Sequence, residues 1–328
     1  MDFSEALKQH QREGLAVARY VGRFAPSPTG PLHVGSVVAA LASWLDARAA
    51  AAQGVASTWL VRIEDVDAQR CSLAWAHTVL KQLDALGLQA DGAVQWQSGR
   101  SALYAQALQY LQQTQRTYAC RCTRKEIEQA WALRGVQRQR FQTLIYPGTC
   151  RHEAYVEPVR AWRFDVQGNE GAPRALSSHA VAWSDRRLGP QMQDVVADVG
   201  DYVLQRADGM WSYQLACVVD DALQGITHVV RGEDLTDNTA RQLLLQEALG
   251  AAHPQYLHVP LALDARGEKL SKGNHAPSID EVSVQHSLLA AAQVLGLPTQ
   301  VGDEGALVAD LLQRWVAAWA ALYPLRWV

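Results

Sequence analysis

Apolar residues recur at helical spacing through VGSVVAALASWLDARAAAA, residues 34–52, and the run stops at Gly54. The short apolar runs on either side, YVGRF (20–24) and STWLVRIE (57–64), read as strands, and a further helix ends near LDALG (83–87). Strand, helix, strand and helix in this order predict a parallel sheet with crossover helices. The alternation returns with DYVLQRADGMW (201–211), where Asp208-Gly209 signals a hairpin. A helix through YQLACVVDDAL (213–223), a strand ITHVVRG (226–232) and a helix from Thr236 to Gly250 follow. Between Thr117 and Pro190 the pattern breaks into short strands, cysteines and the polar segment DVQGNEGAPRALSSH (165–179). The expected organisation is therefore an extension at 1–18, an α/β domain in two halves (19–116 and 191–262), an inserted module at 117–190, and a basic loop with helices at 263–328.

Composition narrows this picture without naming a chemistry. The chain has 328 residues, 48% of them hydrophobic, which suffices for more than one core. A formal net charge of −3 gives no bulk basic footprint, so a nucleic-acid partner would have to meet a local patch. The N-terminus lacks the apolar core of a signal peptide, and no run of about 18 uninterrupted apolar residues occurs, so a cytoplasmic protein with no membrane partner is expected. Five cysteines are present, and three lie between 120 and 150, which in a reducing compartment points to a metal site before disulfides. Cys71 and Cys217 read as buried bystanders.

Two stretches carry candidate chemistry. GRFAPSPTGPLHVGS (22–36) sets prolines, glycines and a histidine between a strand and a helix, as a rigid turn of chosen shape would. Its His33-Val34-Gly35-Ser36 falls at a helix start, where free amides and the positive dipole end suit phosphates; the plainer reading is a stiffened loop with a capping serine. The second stretch, Glu268-Lys269-Leu270-Ser271-Lys272-Gly273, holds two lysines three apart, which either steady phosphate charge in a transition state or form an ordinary solvated loop.

Taken together, PSPTGPLHVG early and EKLSK late, with a split parallel sheet between, resemble the signature pair of class I aminoacyl-tRNA synthetases. RFAPSPTGPLHVGS, RIEDVD (62–67), VVRGEDL (229–235) and EKLSKGNHA (268–276) are similar to the glutamyl-tRNA synthetase group. The resemblance implies an α/β fold: a class I synthetase Rossmann-type parallel sheet split by an inserted zinc-containing module, then a C-terminal helical region. Only residues 274–328 follow the lysine loop, too few for a large helical domain that reads the anticodon. This points to the group's shortened paralogues, which by resemblance activate L-glutamate with ATP and place it on queuosine in the anticodon of tRNA(Asp). A monomer acting with Mg²⁺ on ATP is expected.

By the same resemblance His33, Lys269 and Lys272 are the catalytic group, and His33, Gly35, Ser36 and Lys272 bind ATP. The family's tetrapeptide ends in a second histidine where Ser36 stands, so no catalytic role falls on that side chain. Glutamate carries two carboxylates and an ammonium, so its pocket should present fixed guanidinium groups, a carboxylate and hydroxyls. Arg23, Phe24, Ala25, Pro26, Ser27, Glu64, Tyr213 and Arg231 supply that inventory, with Glu64 meeting the ammonium. Taken singly, Glu64 reads equally as part of a solvated turn and Tyr213 as a core ring.

Cys120 and Cys122 lie two apart on the strand-like TYACRC and so face one side; with Cys150 they suit zinc. Chemistry alone leaves the fourth ligand open between His152 and Tyr146. The paralogues' C-x-C and Y-x₃-C arrangement, matched here by Tyr146 and Cys150, implies Tyr146 and one structural Zn²⁺. Thr123 and Glu126 form a capping-box pattern. Lys125, Arg134, Arg138, Arg140 and Arg151 make the insertion locally basic, as a phosphate-contacting face or merely an exposed helix would be; Trp131, Trp162 and Trp183 read as core rather than base-stacking residues.

Overall fold

The structure, a computed structural model, describes residues 19–133, 145–153, 156–168, 180–264, 266–270 and 278–325. The first strand, β1 (Arg19–Phe24), pairs in parallel with β2 (Ala56–Ile63), and β2 in turn with β3 (Gln95–Trp96). Helices α1 (Val34–Ala52) and α2 (Leu73–Ala85) make the crossovers. A helix α3 (Ser101–Gln113) leads into β4 (Thr117–Cys120) and α4 (Arg124–Leu133), and then β5 (Ala161–Phe164). The chain continues through β6 (Ala180–Asp185), β7 (Gly189–Asp194), the short α5 (Val195–Asp198), β8 (Val203–Gln205) and α6 (Tyr213–Leu223). Next come β9 (His228–Gly232), α7 (Thr236–Leu249) and β10 (Gln255–Val259). Helices α8 (Val284–Val294) and α9 (Val308–Leu322) close the described chain.

Strands order as β1-β2-β3, β7-β6-β10-β9 and β4-β5-β8. The first two sets abut at β1 and β9: the Thr227 amide donates to the Val21 carbonyl (2.9 Å) and the Val21 amide to Thr227 Oγ1 (2.8 Å). Pairing is parallel within β1-β2-β3 and within β6-β10-β9, and the connections β1 to β2 and β9 to β10 run outward in opposite senses from the β1–β9 seam. That seam is the topological switch point, where the carboxyl ends of two neighbouring strands leave a crevice.

The local pattern assigns β6 to the insertion and places β8 beyond it, whereas sheet membership runs the other way. Asp185 of β6 pairs with Tyr256 of β10 in the parallel sheet, and β8 pairs antiparallel with β5. A strand's alternation records which of its faces is buried and not which distant strand it joins.

Helix α1 carries the main core. It is apolar and long enough to cross a bilayer, yet it is mostly buried among β1, β2, β9, α8 and α9. Trp59, Trp315 and Trp319 are fully enclosed in this cluster; truncating any of them to Ala costs about 3–5 kcal/mol by the usual cavity argument. Asp46, the one acid of α1, is buried and satisfied by three residues. Tyr20 Oη (2.7 Å), Trp319 Nε1 (2.8 Å) and both Nη atoms of Arg186 (2.6 and 2.9 Å) donate to it. Asp46 thereby ties the sheet and the last helix to α1. A second core lies under α3, α6 and α7, and a small one surrounds Cys120, Tyr146 and Cys150.

Candidate active site

At the carboxyl ends of β1 and β9 lies a cavity of about 390 Å³. The 22–36 stretch forms one side of it. Pro26 and Pro28 supply carbonyls to the amides of Glu64 (2.9 Å) and Ser72 (3.1 Å), pinning the turn to the segment after β2. The turn then delivers His33 as the N-cap of α1, its Nδ1 accepting from the Gly35 amide at 3.1 Å. Because Nδ1 accepts, the neutral ring carries its proton on Nε2 as a donor. A side chain on Gly35 would stand 3.0 Å from the His33 ring and 3.2 Å from the Leu270 carbonyl, so glycine there lets the lysine loop close onto the helix start. The capping group is the histidine rather than the serine; the Ser36 amide makes an i→i−3 bond to the His33 carbonyl (2.8 Å), which also accepts the first α-helical bond from the Val37 amide (3.0 Å).

Two buried arginines face the cavity from adjacent strands. On β1, Arg23 donates through Nε (3.0 Å) and Nη2 (3.2 Å) to the two oxygens of Asp221 on α6. Asp221 also accepts from Arg62 Nη1 (2.8 Å), and Arg62 Nη2 donates to Glu64 Oε1 (3.1 Å). Burial opposes ionisation of Asp221, but Arg23 and Arg62 outweigh it and hold the carboxyl at about 2. For Glu64 burial prevails over Arg62 and Arg23, and the carboxyl is raised above its ordinary range. Cys217 is buried in the same cluster, and burial with the neighbouring Asp221 and Glu64 pushes its thiol up to about 12.

On β9, Arg231 donates through Nε to His258 Nε2 (3.0 Å), through Nη1 to Gln242 Oε1 (2.7 Å) and through Nη2 to Thr239 Oγ1 (2.8 Å). Tyr213, half-buried at the start of α6 behind the Ser212 cap, completes this side; burial pushes its phenol well up. Lys269 reaches the rim and pairs with Asp234 at 2.5 Å. Gly232 leaves room for that arrangement, since a Cβ there would lie 2.6 Å from Asp234 Oδ1.

The structure thus brings Arg23, Phe24, Ala25, Pro26, Ser27, His33, Gly35, Ser36, Tyr213, Arg231 and Lys269 onto one cavity. Glu64 stands behind that wall, joined to it through Arg62 and Asp221. Lys272 lies outside the described residues, as do Arg134, Arg138 and Arg140. Sequence reasoning missed Arg62, Asp221, Asp234 and His258; for Arg62 and His258 the available signal was a charged or imidazole residue interrupting an apolar strand, in WLVRI and YLHV.

In the insertion the Sγ atoms of Cys120, Cys122 and Cys150 lie within 4.8 Å of one another, a group able to hold a metal ion. Tyr146 Oη sits 3.4 Å from Cys120 Sγ and 3.5 Å from Cys122 Sγ and accepts from the Cys150 amide at 2.9 Å. His152 is exposed. Thr123 and Glu126 exchange capping bonds, the Thr123 amide to Glu126 Oε2 at 2.7 Å and the Glu126 amide to Thr123 Oγ1 at 3.3 Å. Arg151 is committed to Asp201 (2.9 and 2.7 Å) and Trp131 Nε1 to the Ile145 carbonyl (2.6 Å), so both serve the module's interior. Cys71, by contrast with its expected burial, is partly exposed.

Residues 20–292 match the family described as tRNA synthetases class I (E and Q), catalytic domain. The chain is 53% identical over 317 residues to the glutamyl-Q tRNA(Asp) synthetase of Albidiferax ferrireducens, covering 93% of this chain and 100% of that protein. It is 48% identical to the enzyme of that name from Cupriavidus metallidurans, covering 94% of each. A crystal structure of a glutamate tRNA ligase from Elizabethkingia meningosepticum in complex with its amino acid superposes with a TM-score of 0.70 at 24% identity. That likeness covers 90% of this chain and 64% of the ligase, and it bears on the fold alone. With its catalytic-domain match and its full-length likeness to these relatives, the chain belongs to the class I (E and Q) tRNA synthetases and, among them, to the glutamyl-Q tRNA(Asp) synthetase group.

Proposed function

We propose that this protein activates L-glutamate with ATP and transfers the glutamyl group to queuosine in the anticodon of tRNA(Asp). The observation that carries the reading is the likeness along the full length of glutamyl-Q tRNA(Asp) synthetases, joined to a switch-point cavity that gathers two fixed guanidinium groups, a helix start and a rim lysine. Glutamate's carboxylate oxygen attacks the α-phosphorus of ATP in line; the bond to the β-phosphate breaks and pyrophosphate leaves with its Mg²⁺. A hydroxyl of the acceptor then attacks the mixed anhydride and AMP leaves. The protein contributes position and charge, and holding both reactants supplies on the order of 7–11 kcal/mol in favourable cases.

In this reading Arg231 and Arg23 hold carboxylate oxygens and Tyr213 orients the amino acid. Glu64, whose Oε1 is occupied by Arg62, takes the ammonium with its other oxygen; an arriving cation favours the ionised form that burial disfavours. His33 Nε2, the positive dipole end of α1, Lys269 and Lys272 steady the departing pyrophosphate. Lys269 exchanges Asp234 for phosphate as ATP enters.

The cysteine cluster fits a structural Zn²⁺. Thiolates about 2.3 Å from one tetrahedral ion stand about 3.8 Å apart, and Cys122 and Cys150 are already at 3.5 Å. Cys120, Cys122, Cys150 and Tyr146 would hold the ion, which staples the insertion and takes no part in activation.

Glutamate-dependent exchange of labelled pyrophosphate into ATP, measured without tRNA, tests the first half-reaction. Exchange with glutamate and none with glutamine supports the reading, and absence of exchange in folded, zinc-loaded protein contradicts it. Charging of tRNA(Asp) with and without queuosine tests the acceptor.

A further inference from the structure

Arg231 is oriented by a residue that does not itself line the cavity. A guanidinium has no acceptor, so His258 Nε2, 3.0 Å from Arg231 Nε, must be bare. The imidazole proton then sits on Nδ1, where Asp185 Oδ2 receives it at 2.7 Å. Asp185 is fixed as an acceptor in its own right, taking the amides of Arg187 (3.0 Å), Leu188 (2.8 Å) and His258 (3.1 Å). Asp185, His258 and Arg231 are 2%, 0% and 4% exposed, so these bonds are shielded from bulk solvent. Only one imidazole tautomer is compatible with both neighbours.

We propose, on the reading that this pocket takes glutamate, that His258 in its Nδ1–H form, selected by Asp185, is a positioning residue that aims Arg231 at the amino acid's carboxylate while leaving its charge undiminished. A carboxylate in place of the imidazole would hold the guanidinium equally well but offset its charge, as Asp221, shared with Arg62, partly does for Arg23. An imidazolium would set N–H against N–H and displace it. The groups facing the ring are Asp185 from β6, Arg231 from β9, Thr239 Oγ1 from α7 at 3.3 Å, and Tyr256, stacked at 6.0 Å on β10; Arg187 binds the His258 carbonyl. Burial, against the pull of Asp185, lowers the ring's proton affinity, which keeps the uncharged form resident at neutral pH.

Nitrogen NMR of the full-length protein labelled at histidine reads the tautomer directly: a protonated Nδ1 and bare Nε2 at His258 are expected, and a protonated Nε2 overturns the proposal. In the exchange assay, His258→Leu should raise KM for glutamate roughly 10- to 100-fold, the loss of one hydrogen bond to a charged group, with KM for ATP changed less than about 3-fold. His258→Gln, whose Oε1 can accept from Arg231, should recover most of that loss. Equal rises in both KM values, or no recovery with glutamine in a protein of wild-type circular dichroism, would contradict the assignment. If the leucine variant does not fold, the glutamine variant and the NMR decide. Absence of exchange in the wild type would instead sink the functional reading, while the tautomer measurement still judges the relay.

Discussion

The two walls of the cavity carry the same residue type in opposite electrostatic settings. On β1, Arg23 is clamped by both oxygens of Asp221 within a dense cluster that includes Arg62, Glu64 and Asp220. On β9, among the described residues, Arg231 donates to the uncharged His258, Gln242 and Thr239 and lies over the Tyr256 ring. A buried cation beside a carboxylate is settled, and removing its partner costs far more than the pair contributes. One held by neutral acceptors retains its charge for an anionic ligand. Counting arginines therefore overstates the charge a pocket offers; their partners decide it.

The largest effect should come from disturbing the settled wall. Asp221→Asn leaves Arg23 and Arg62 buried without their shared counter-charge and should cost about 3–5 kcal/mol in urea unfolding. The sign with pH follows from a depressed carboxyl. The wild-type contribution is fully present above the unfolded value of about 3.9 and is lost as pH falls toward about 2. The asparagine variant should lack that portion of the acid limb, and a variant as stable as the wild type would mean the clamp is inert.

On the opposite wall the balance should invert. Arg231→Gln is expected to lower kcat/KM for glutamate on the order of 10²–10³-fold, as for losing one member of a buried charge pair with the ligand. Its stability cost should stay near 1–2 kcal/mol because its partners are neutral. Unfolding and exchange measured on both variants would erase the contrast if the two proteins behaved alike.

Outside the cavity the effects should be smaller and of another kind. Tyr146→Phe removes the phenol from the cysteine cluster and should speed zinc loss to a chelator about 10-fold, with glutamate-dependent exchange nearly unchanged. Thr123→Ala breaks the capping box of α4 and should cost about 1 kcal/mol, read as lower thermal stability of the insertion.

Much of this frame was legible where the cause is local. The 34–52 and 213–223 readings coincide with α1 and α6, and Asp208-Gly209 does turn the chain, the Arg206 amide donating to the Met210 carbonyl at 2.9 Å. Gly250 takes the left-handed φ of 70° that ends α7. What failed depends on distant partners. β6 was assigned by its neighbours in sequence and joined a strand some seventy residues on. Arg62 and His258 interrupt apolar strands, which marks them as unusual, but their partners Asp221 and Asp185 lie 159 and 73 residues away. Those pairings arise from the crossover order of the sheet, which the family motifs near the cavity do not spell out.

The central claim is that an amino acid secured in this cavity is delivered to an anticodon base. Incubating the protein with isotope-labelled glutamate, ATP and tRNA(Asp) bearing queuosine, then locating the label by mass spectrometry of nuclease fragments, tests it most directly. The account predicts label on the anticodon fragment and none on tRNA(Asp) lacking queuosine. Label at the 3′-terminal adenosine, or equal labelling of both tRNAs, would contradict it.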